Sequence, residues 1–453
     1  MQKIIIIICM SIIIVLALST ALVLYINTGR PPSIDETERQ VWKSIGYHII
    51  LEMDNEDVIV YNYTKDSLLP FGFGTINDTG EIVIEKLYGA PLLNLLFWTD
   101  TASGTFHDGV VIDLIGFKKY FERIEDLPDV KIKTFTKNPV HNYEVFFNLF
   151  EENYSLFKIA NVDWNALYSE YRAKVTEQTT DEELLATFKE MIQLLNDGHT
   201  NVLTGLQSGV GSKREKLPGF ELYLDNQEKI KKNSKNYLSQ KTKCIINKHI
   251  EYAPINDDLY YVRVNDFYAT DKQAIKDGLT KLQRDLDGIS SIIVDLRLNH
   301  GGTDYFALQF AELFAKEEVF VFSKQTRVGD YDEFNEPTNI YMSPADHALK
   351  AEKVIVMTSN VTGSAAEVAT MAFDQMNHVT IIGETTMGVH SDIIMSILPN
   401  GWIVTLSAEK YTAADGNVYE QIGLFPDEKV ILTEEAVLKG LDTVLERAIQ
   451  FVK

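Results

Sequence analysis

Two hydrophobic regimes divide this chain. Ile4–Ile26 is an unbroken run of 23 apolar or small residues preceded by Lys3. A cleaved signal has an apolar core of about 7–15 residues, whereas a spanning helix needs about 20. The run therefore predicts a membrane anchor over 1–28, with Lys3 inside and the body outside. Ala17-Leu18-Ser19 resembles a small-x-small cleavage site, so a removable signal stays open as the second reading. Arg30–Gln40 is polar, carries two prolines and reads as a linker over 29–40.

Beyond it the periodicity changes three times. From Val41 to about Leu114 short alternating runs such as Gly46–Met53, Asp57–Tyr63 and Gly80–Leu87 are broken by turn clusters. They predict a small all-β module over 41–138, in which His48 and His107 are structural. Asn142–Val202 turns helical, predicting a helical domain over 139–206. Tyr143–Phe157 sets Phe146, Phe147, Phe150, Tyr154 and Phe157 on one broad face, a core stripe. Trp164–Val175 follows, and Thr180 with Glu183 makes a capping box for a third helix. That helix runs into Leu195-Asn196-Asp197-Gly198-His199, where Gly198 reads as a left-handed cap presenting His199. A histidine there can also be a mere partner of the helix dipole, and on spacing alone that reading is favoured.

Residues 207–256 are rich in Lys, Asn and Gln and predict loops and short strands. From Leu259 onward strands and helices alternate: Leu259–Val264, Asp271–Leu286, Ile289–Leu296, Tyr305–Phe314, Val319–Ser323, Val354–Met357 and Ala365–Met376. This predicts an α/β core over 207–453, with a parallel-rich sheet and right-handed crossover helices. Three further strands and one terminal helix, Glu434–Val452, close it.

The formal net charge of −23 argues against nucleic acid or an anionic membrane surface as partner, and predicts a body that repels acidic ligands. Cys9 lies inside the apolar run, which leaves Cys244 a lone thiol and excludes a disulfide framework. None of the nine histidines falls in a His-Glu-x-x-His or Cys/His zinc pattern, so no metal and no cofactor is expected.

One stretch carries candidate chemistry. Val354–Met357 is a buried strand, a polar turn follows, and Ser364 stands at the start of a helix. Backbone N–H groups and the helix dipole favour negative charge there, as an acyl-transfer nucleophile requires. Ser364 with Glu367 also reads as a capping box, and on this stretch alone the cap is favoured. The second glycine of Gly-x-Ser-x-Gly is missing, so an α/β-hydrolase elbow is not supported.

Four further segments change that balance: Leu-Asn-Asp-Gly-His-Thr at 195–200, Val-Asp-Leu-Arg-Leu-Asn-His-Gly-Gly at 294–302, Gly-Glu-Thr-Thr-Met-Gly at 383–388, and Asp-Gly followed by Glu-Gln-Ile-Gly-Leu-Phe-Pro-Asp at 415–427. With Thr-Gly-Ser-Ala-Ala-Glu at 362–367, their order resembles the tail-specific (C-terminal processing) serine protease family, in particular its tricorn-core-like branch. The resemblance covers roughly Leu259–Val430 plus the helical segment, and leaves the β module outside. It implies a ClpP/crotonase-like core and a serine peptidase acting on a peptide or unfolded protein. The body would lie outside the cytoplasm, at the cell surface or in the periplasm, or be secreted if the apolar segment is cleaved.

The resemblance makes Ser364 the nucleophile, with an oxyanion hole from Gly301, Gly302 and Ala365. The lysine base of the processing proteases falls on Val389, so a Ser–Lys dyad is absent. The tricorn-like branch places its base at His199 and its orienting carboxylate at Glu420. A supporting serine of that branch is Gly198 here, and no PDZ insertion is found between His199 and Leu259. His390, one residue past the lysine position, competes as base; His199 is preferred because it alone has a matching carboxylate. The alternative function is a non-catalytic binder of peptides or hydrophobic ligands on the same fold. Oligomeric state is not legible.

Overall fold

The computed structural model describes residues 32–77, 82–87, 101–106, 110–114, 117–205, 208–212 and 217–452. The predicted anchor Ile4–Ile26 and His107 lie outside these residues. Among the described residues, no helix is long and apolar enough to cross a membrane.

The alternating runs near the N-terminus form a closed eight-stranded antiparallel barrel, from Gln40–Ser44 to Phe117–Ile124, which pairs back onto the first strand. Closure removes the exposed edges that so many short strands would otherwise carry. Trp42, Leu51, Met53, Val58 and Phe121 cluster as one of its cores. His48 is structural, as expected: it is buried, and its Nε2 lies 2.9 Å from Ser396 Oγ, joining barrel to core.

The helical segment begins with Pro139–Asn153, capped by the Asn138 side chain. The expected aromatic stripe is its core. Phe146, Phe147, Phe150 and Phe157 are buried around Trp164, whose Nε1 donates to Phe147 O at 3.1 Å, although Tyr154 and Phe157 lie beyond the end of that helix. The helix Asp181–Gln193 carries the predicted Thr180–Glu183 capping box. Its end differs from expectation: Asn196 takes the left-handed conformation, at φ 48°, and Gly198 does not. Asparagine tolerates that region through local hydrogen bonding of its short side chain.

The core is a seven-stranded sheet ordered 243–245, 250–254, 259–264, 291–295, 353–358, 379–383 and 428–429. Its last five strands are mutually parallel. Successive residues of each strand feed opposite faces. Ile292, Val294, Val354 and Val356 pack under helices Lys272–Asp285, Asp304–Glu312 and Ala365–Asp374, while Ile293, Ile355 and Met357 face the terminal helix. A sheet buried on both faces explains the nearly continuous apolar runs.

Three expectations need correction. Residues 207–256 contain two helices, Phe220–Asp225 and Gln227–Ser234. The second has little apolar periodicity to betray it, because it docks partly through polar groups: buried Asn233 donates to Val437 O at 2.9 Å. The terminal helix is two, Glu434–Leu438 and Thr443–Val452, separated by Gly440 at φ 79°. Glu409–Ala413 is an additional strand, paired with Val319–Thr326.

Candidate active site

Ser364 stands between strand Lys353–Thr358 and helix Ala365–Asp374 with φ 54° and ψ −129°. A side chain other than glycine rarely holds that conformation, and it costs on the order of 1–3 kcal/mol. The anticipated capping box does not form: Ser364 makes no side-chain cap. Glu367 is turned away to accept from Thr386 Oγ1 at 2.6 Å and from the N–H groups of Gly388 and Val389 at 2.5 and 2.7 Å. That loop in turn holds the serine, since Ser364 N–H donates to Val389 O at 2.8 Å. Ser364 itself remains half-exposed.

The glycine turn is pinned against Ser364 by a second set of bonds. Ser359 Oγ donates to Arg297 O at 2.6 Å, Thr362 Oγ1 to Leu296 O at 2.9 Å, and Gly363 N–H to Asn299 O at 3.1 Å. A Cβ on Gly301, which has φ 104°, would overlap the Cβ of Ser364 and come within 2.9 Å of Ala365 N. The expected donors divide accordingly. Gly301 N–H is already bonded to Asn299 Oδ1 at 2.8 Å, whereas the N–H groups of Gly302 and Ala365 meet no acceptor among the described residues. Arg297, fully buried below this turn, is clamped between Asp295 and Asp442.

His199 follows the helical segment and is fixed through its backbone. Its N–H donates to Asp197 Oδ1 at 2.9 Å, and Thr405 Oγ1 donates to its carbonyl at 2.6 Å. Strand Asn201–Gly205 then joins Ile403–Ser407 in a four-stranded sheet with Ile393–Ile397. Gln421 closes the seam, its N–H on Gly388 O and its Nε2 on Leu195 O at 2.9 Å. Gly198 abuts Val389: a Cβ there would lie 3.2 Å from a Val389 methyl. Val389 thus touches both Gly198, the residue before His199, and the backbone of Ser364. Burial lowers the pKa of the His199 imidazole against the opposing pull of Asp197, the Ser391 carbonyl and Asp392. Asp392 is itself paired with Lys119 of the barrel at 3.5 Å, so the barrel enters the charge environment of the site.

Glu420 does not lie where a direct orienter of His199 was expected. Its Oε2 accepts the N–H groups of His390 and Ser391 at 3.2 and 3.0 Å and sits 3.4 Å from His390 Nε2. Burial and the charges of Asp197 and Glu367 push its pKa well up. His390 is enclosed, its side chain 0% exposed, with Glu367 on its other side at 3.9 Å. Sequence reasoning missed Asp197, Asn299, Ser391 and Asp392. Of these, Asp197 and Asn299 lie inside the quoted motifs; Ser391 and Asp392 matter only through tertiary packing.

Residues 258–430 match the family described as Peptidase family S41, and residues 135–193 match the Tricorn protease C1 domain. A carboxyl-terminal-processing protease of Picosynechococcus is 27% identical over 172 residues, covering 38% of this chain and 38% of that protein. The carboxy-terminal processing protease CtpA of Bacillus subtilis is 26% identical over 199 residues, covering 42% and 39%. The chain therefore aligns with well under half the length of these relatives. A crystal structure of a putative peptidase from Parabacteroides merdae superposes with TM-score 0.58 at 25% identity, covering 70% of this chain and 97% of that one. Mature CPAF is similar in fold, with TM-score 0.54 at 9% identity, covering 70% and 96%.

Proposed function

From the match of residues 258–430 to peptidase family S41 and of residues 135–193 to the tricorn protease C1 domain, we propose an exported serine peptidase that uses Ser364 as nucleophile and His199 as base. The observation that carries the reading is the strained backbone of Ser364, at φ 54° and ψ −129°, with its side chain spared from capping. Such strain persists only where surrounding bonds over-determine it.

In the first step Ser364 Oγ bonds to the peptide carbonyl carbon while its proton passes to His199. The C–N bond then breaks, the amine leaving with that proton, and water repeats the sequence to release the acid. The N–H groups of Gly302 and Ala365 receive the developing oxyanion. Gly301 contributes the lack of a side chain and not a donor. His199 is preferred over His390 because a base must meet the substrate: His199 is half-exposed like Ser364, whereas His390 is sealed between two glutamates. Glu420 acts as a positioning residue, holding the backbone of Ser391, whose carbonyl raises the basicity of the His199 imidazole.

The membrane anchor over Ile4–Ile26 belongs to the same proposal, and a chain starting at Arg30 should be soluble while the full chain sediments with membranes. A mature soluble form beginning near Thr20 would make the segment a cleaved signal. For the chemistry, a fluorophosphonate should label Ser364, and Ser364→Ala should abolish both labelling and peptide hydrolysis. No labelling of a folded chain would favour the peptide-binding alternative.

A further inference from the structure

The charge of this protein is unevenly distributed. Against a net charge of −23, residues 227–248 hold seven lysines and one acidic residue, Glu228. Four of those lysines, Lys231, Lys232, Lys235 and Lys248, line a surface groove of about 380 Å³ together with Glu228, Glu251 and Asn265. Two are partly neutralised, Lys231 by Glu228 at 3.1 Å and Lys235 by Glu251 at 3.9 Å. Lys232 and Lys248 are exposed and have no carboxylate partner among the described residues. The groove therefore carries surplus positive charge.

Its position gives that charge a use. Asn265 of the groove lies two residues before Phe267, which brackets the glycine turn: Phe267 N–H donates to Gly301 O at 2.7 Å, and Thr303 N–H donates to Phe267 O at 2.8 Å. Independently, Lys231 joins burial in lowering the pKa of His300, the residue preceding Gly301. Lys248 is held at the rim by a turn in which Ile246, Asn247 and Lys248 all have positive φ, fastened by Asn265 Nδ2 on Lys248 O at 2.8 Å.

We propose that this groove is a subsite for acidic side chains of the peptide substrate, flanking the bond attacked at Ser364. Long-range repulsion from the acidic body is screened beyond about 8 Å at physiological salt, while the lysines act at contact distance. An acidic segment is thus attracted to this groove despite the net negative charge of the chain. The identity of the occupant as substrate rests on the peptidase reading above.

Binding separates the two ideas. Ser364→Ala chain would be titrated by fluorescence anisotropy with two labelled peptides of equal length, one bearing a run of Asp and Glu and the other its Asn and Gln counterpart. The acidic peptide should bind about tenfold or more tightly at about 0.15 M salt, where the Debye length is about 8 Å, and lose that advantage at 1 M, where it is about 3 Å. Replacing Lys231, Lys232, Lys235 and Lys248 by Gln should remove the preference. Replacing Lys229 and Lys241, exposed lysines of the same segment outside the groove, should leave it within about twofold. Equal affinity for both peptides, or equal effects of the two lysine sets, would overturn the proposal. A preference that follows C-terminal amidation and not side-chain charge would overturn it too. Groove-dependent binding with no hydrolysis by the wild-type chain would sink the peptidase reading and spare the groove.

Discussion

Gly301→Ala tests the geometry of the site at one atom. The new Cβ would overlap the Ser364 Cβ and stand 2.9 Å from both Ala365 N and Gly363 O. Carbon–nitrogen and carbon–oxygen contacts settle nearer to about 3.4 Å and beyond, so the turn and Ser364 must separate by several tenths of an ångström or more. A misplacement of about 1 Å costs on the order of 10² in rate, and loss of one oxyanion donor about 10²–10³. The expected result is a fall in kcat of that size with KM little changed. Backbone strain at φ 104° adds about 1–2 kcal/mol of destabilisation, which must be separated from the steric effect. Gly288→Ala supplies the control: it has φ 79° and nothing within 4 Å of the added Cβ. It should show the stability loss alone, with unchanged turnover. Urea midpoints and steady-state kinetics on both variants decide the matter. A folded Gly301→Ala chain with kcat within about threefold of wild type would refute the placement of the oxyanion site beside Ser364.

His199→Ala should lower turnover by about three orders of magnitude or more, and Glu420→Gln should lower kcat with little change in KM; the double variant should fall only slightly below the worse single one, because the pair acts as a unit. His390→Ala should instead lose stability, by about 3 kcal/mol in denaturant titrations, since it strips a partner from two buried glutamates, while retaining most activity per folded molecule. The acid limb of kcat/KM should lie below the ordinary histidine value of about 6.5, because a base must be neutral and burial lowers His199. Asp392→Asn removes a charge that raises that pKa, so the limb should move further down; an upward move would contradict the assignment. His48, held at about 4 in the folded state, should erode stability as pH falls from about 6.5 to 4: the unfolded chain takes up the proton first, and the loss reaches about 3 kcal/mol. Asp442→Ala leaves fully buried Arg297 short of one of its two carboxylates and should cost about 3–5 kcal/mol, read from the unfolding midpoint.

Much of this protein follows from local pattern. Period-two runs, the aromatic stripe from Phe146 to Phe157 and the Thr180–Glu183 box each contain their own instruction, because strand pleat, helix pitch and helix capping are properties of a few consecutive residues. The apolar strands flanked by crossover helices likewise required a parallel sheet buried on both faces. At Ser364 local reasoning reached its limit. The Ser–x–x–Glu pattern specifies a capping box, and only the distant loop at 386–389, drawing Glu367 away through three hydrogen bonds, released the serine from it. Closure of the barrel depended on pairing residues 41–44 with 121–124, which no local signal encodes. The setting of His199 was decided in the same way. Its neighbour Gly198 is brought to Val389 by sheet pairing and by Gln421, contacts separated by some two hundred residues. Long-range pairing of this kind repays its loop-closure entropy only when the whole core assembles. Hence the elements were legible residue by residue, while the relation of the 195–200 segment to the Ser364 loop existed only in the folded chain.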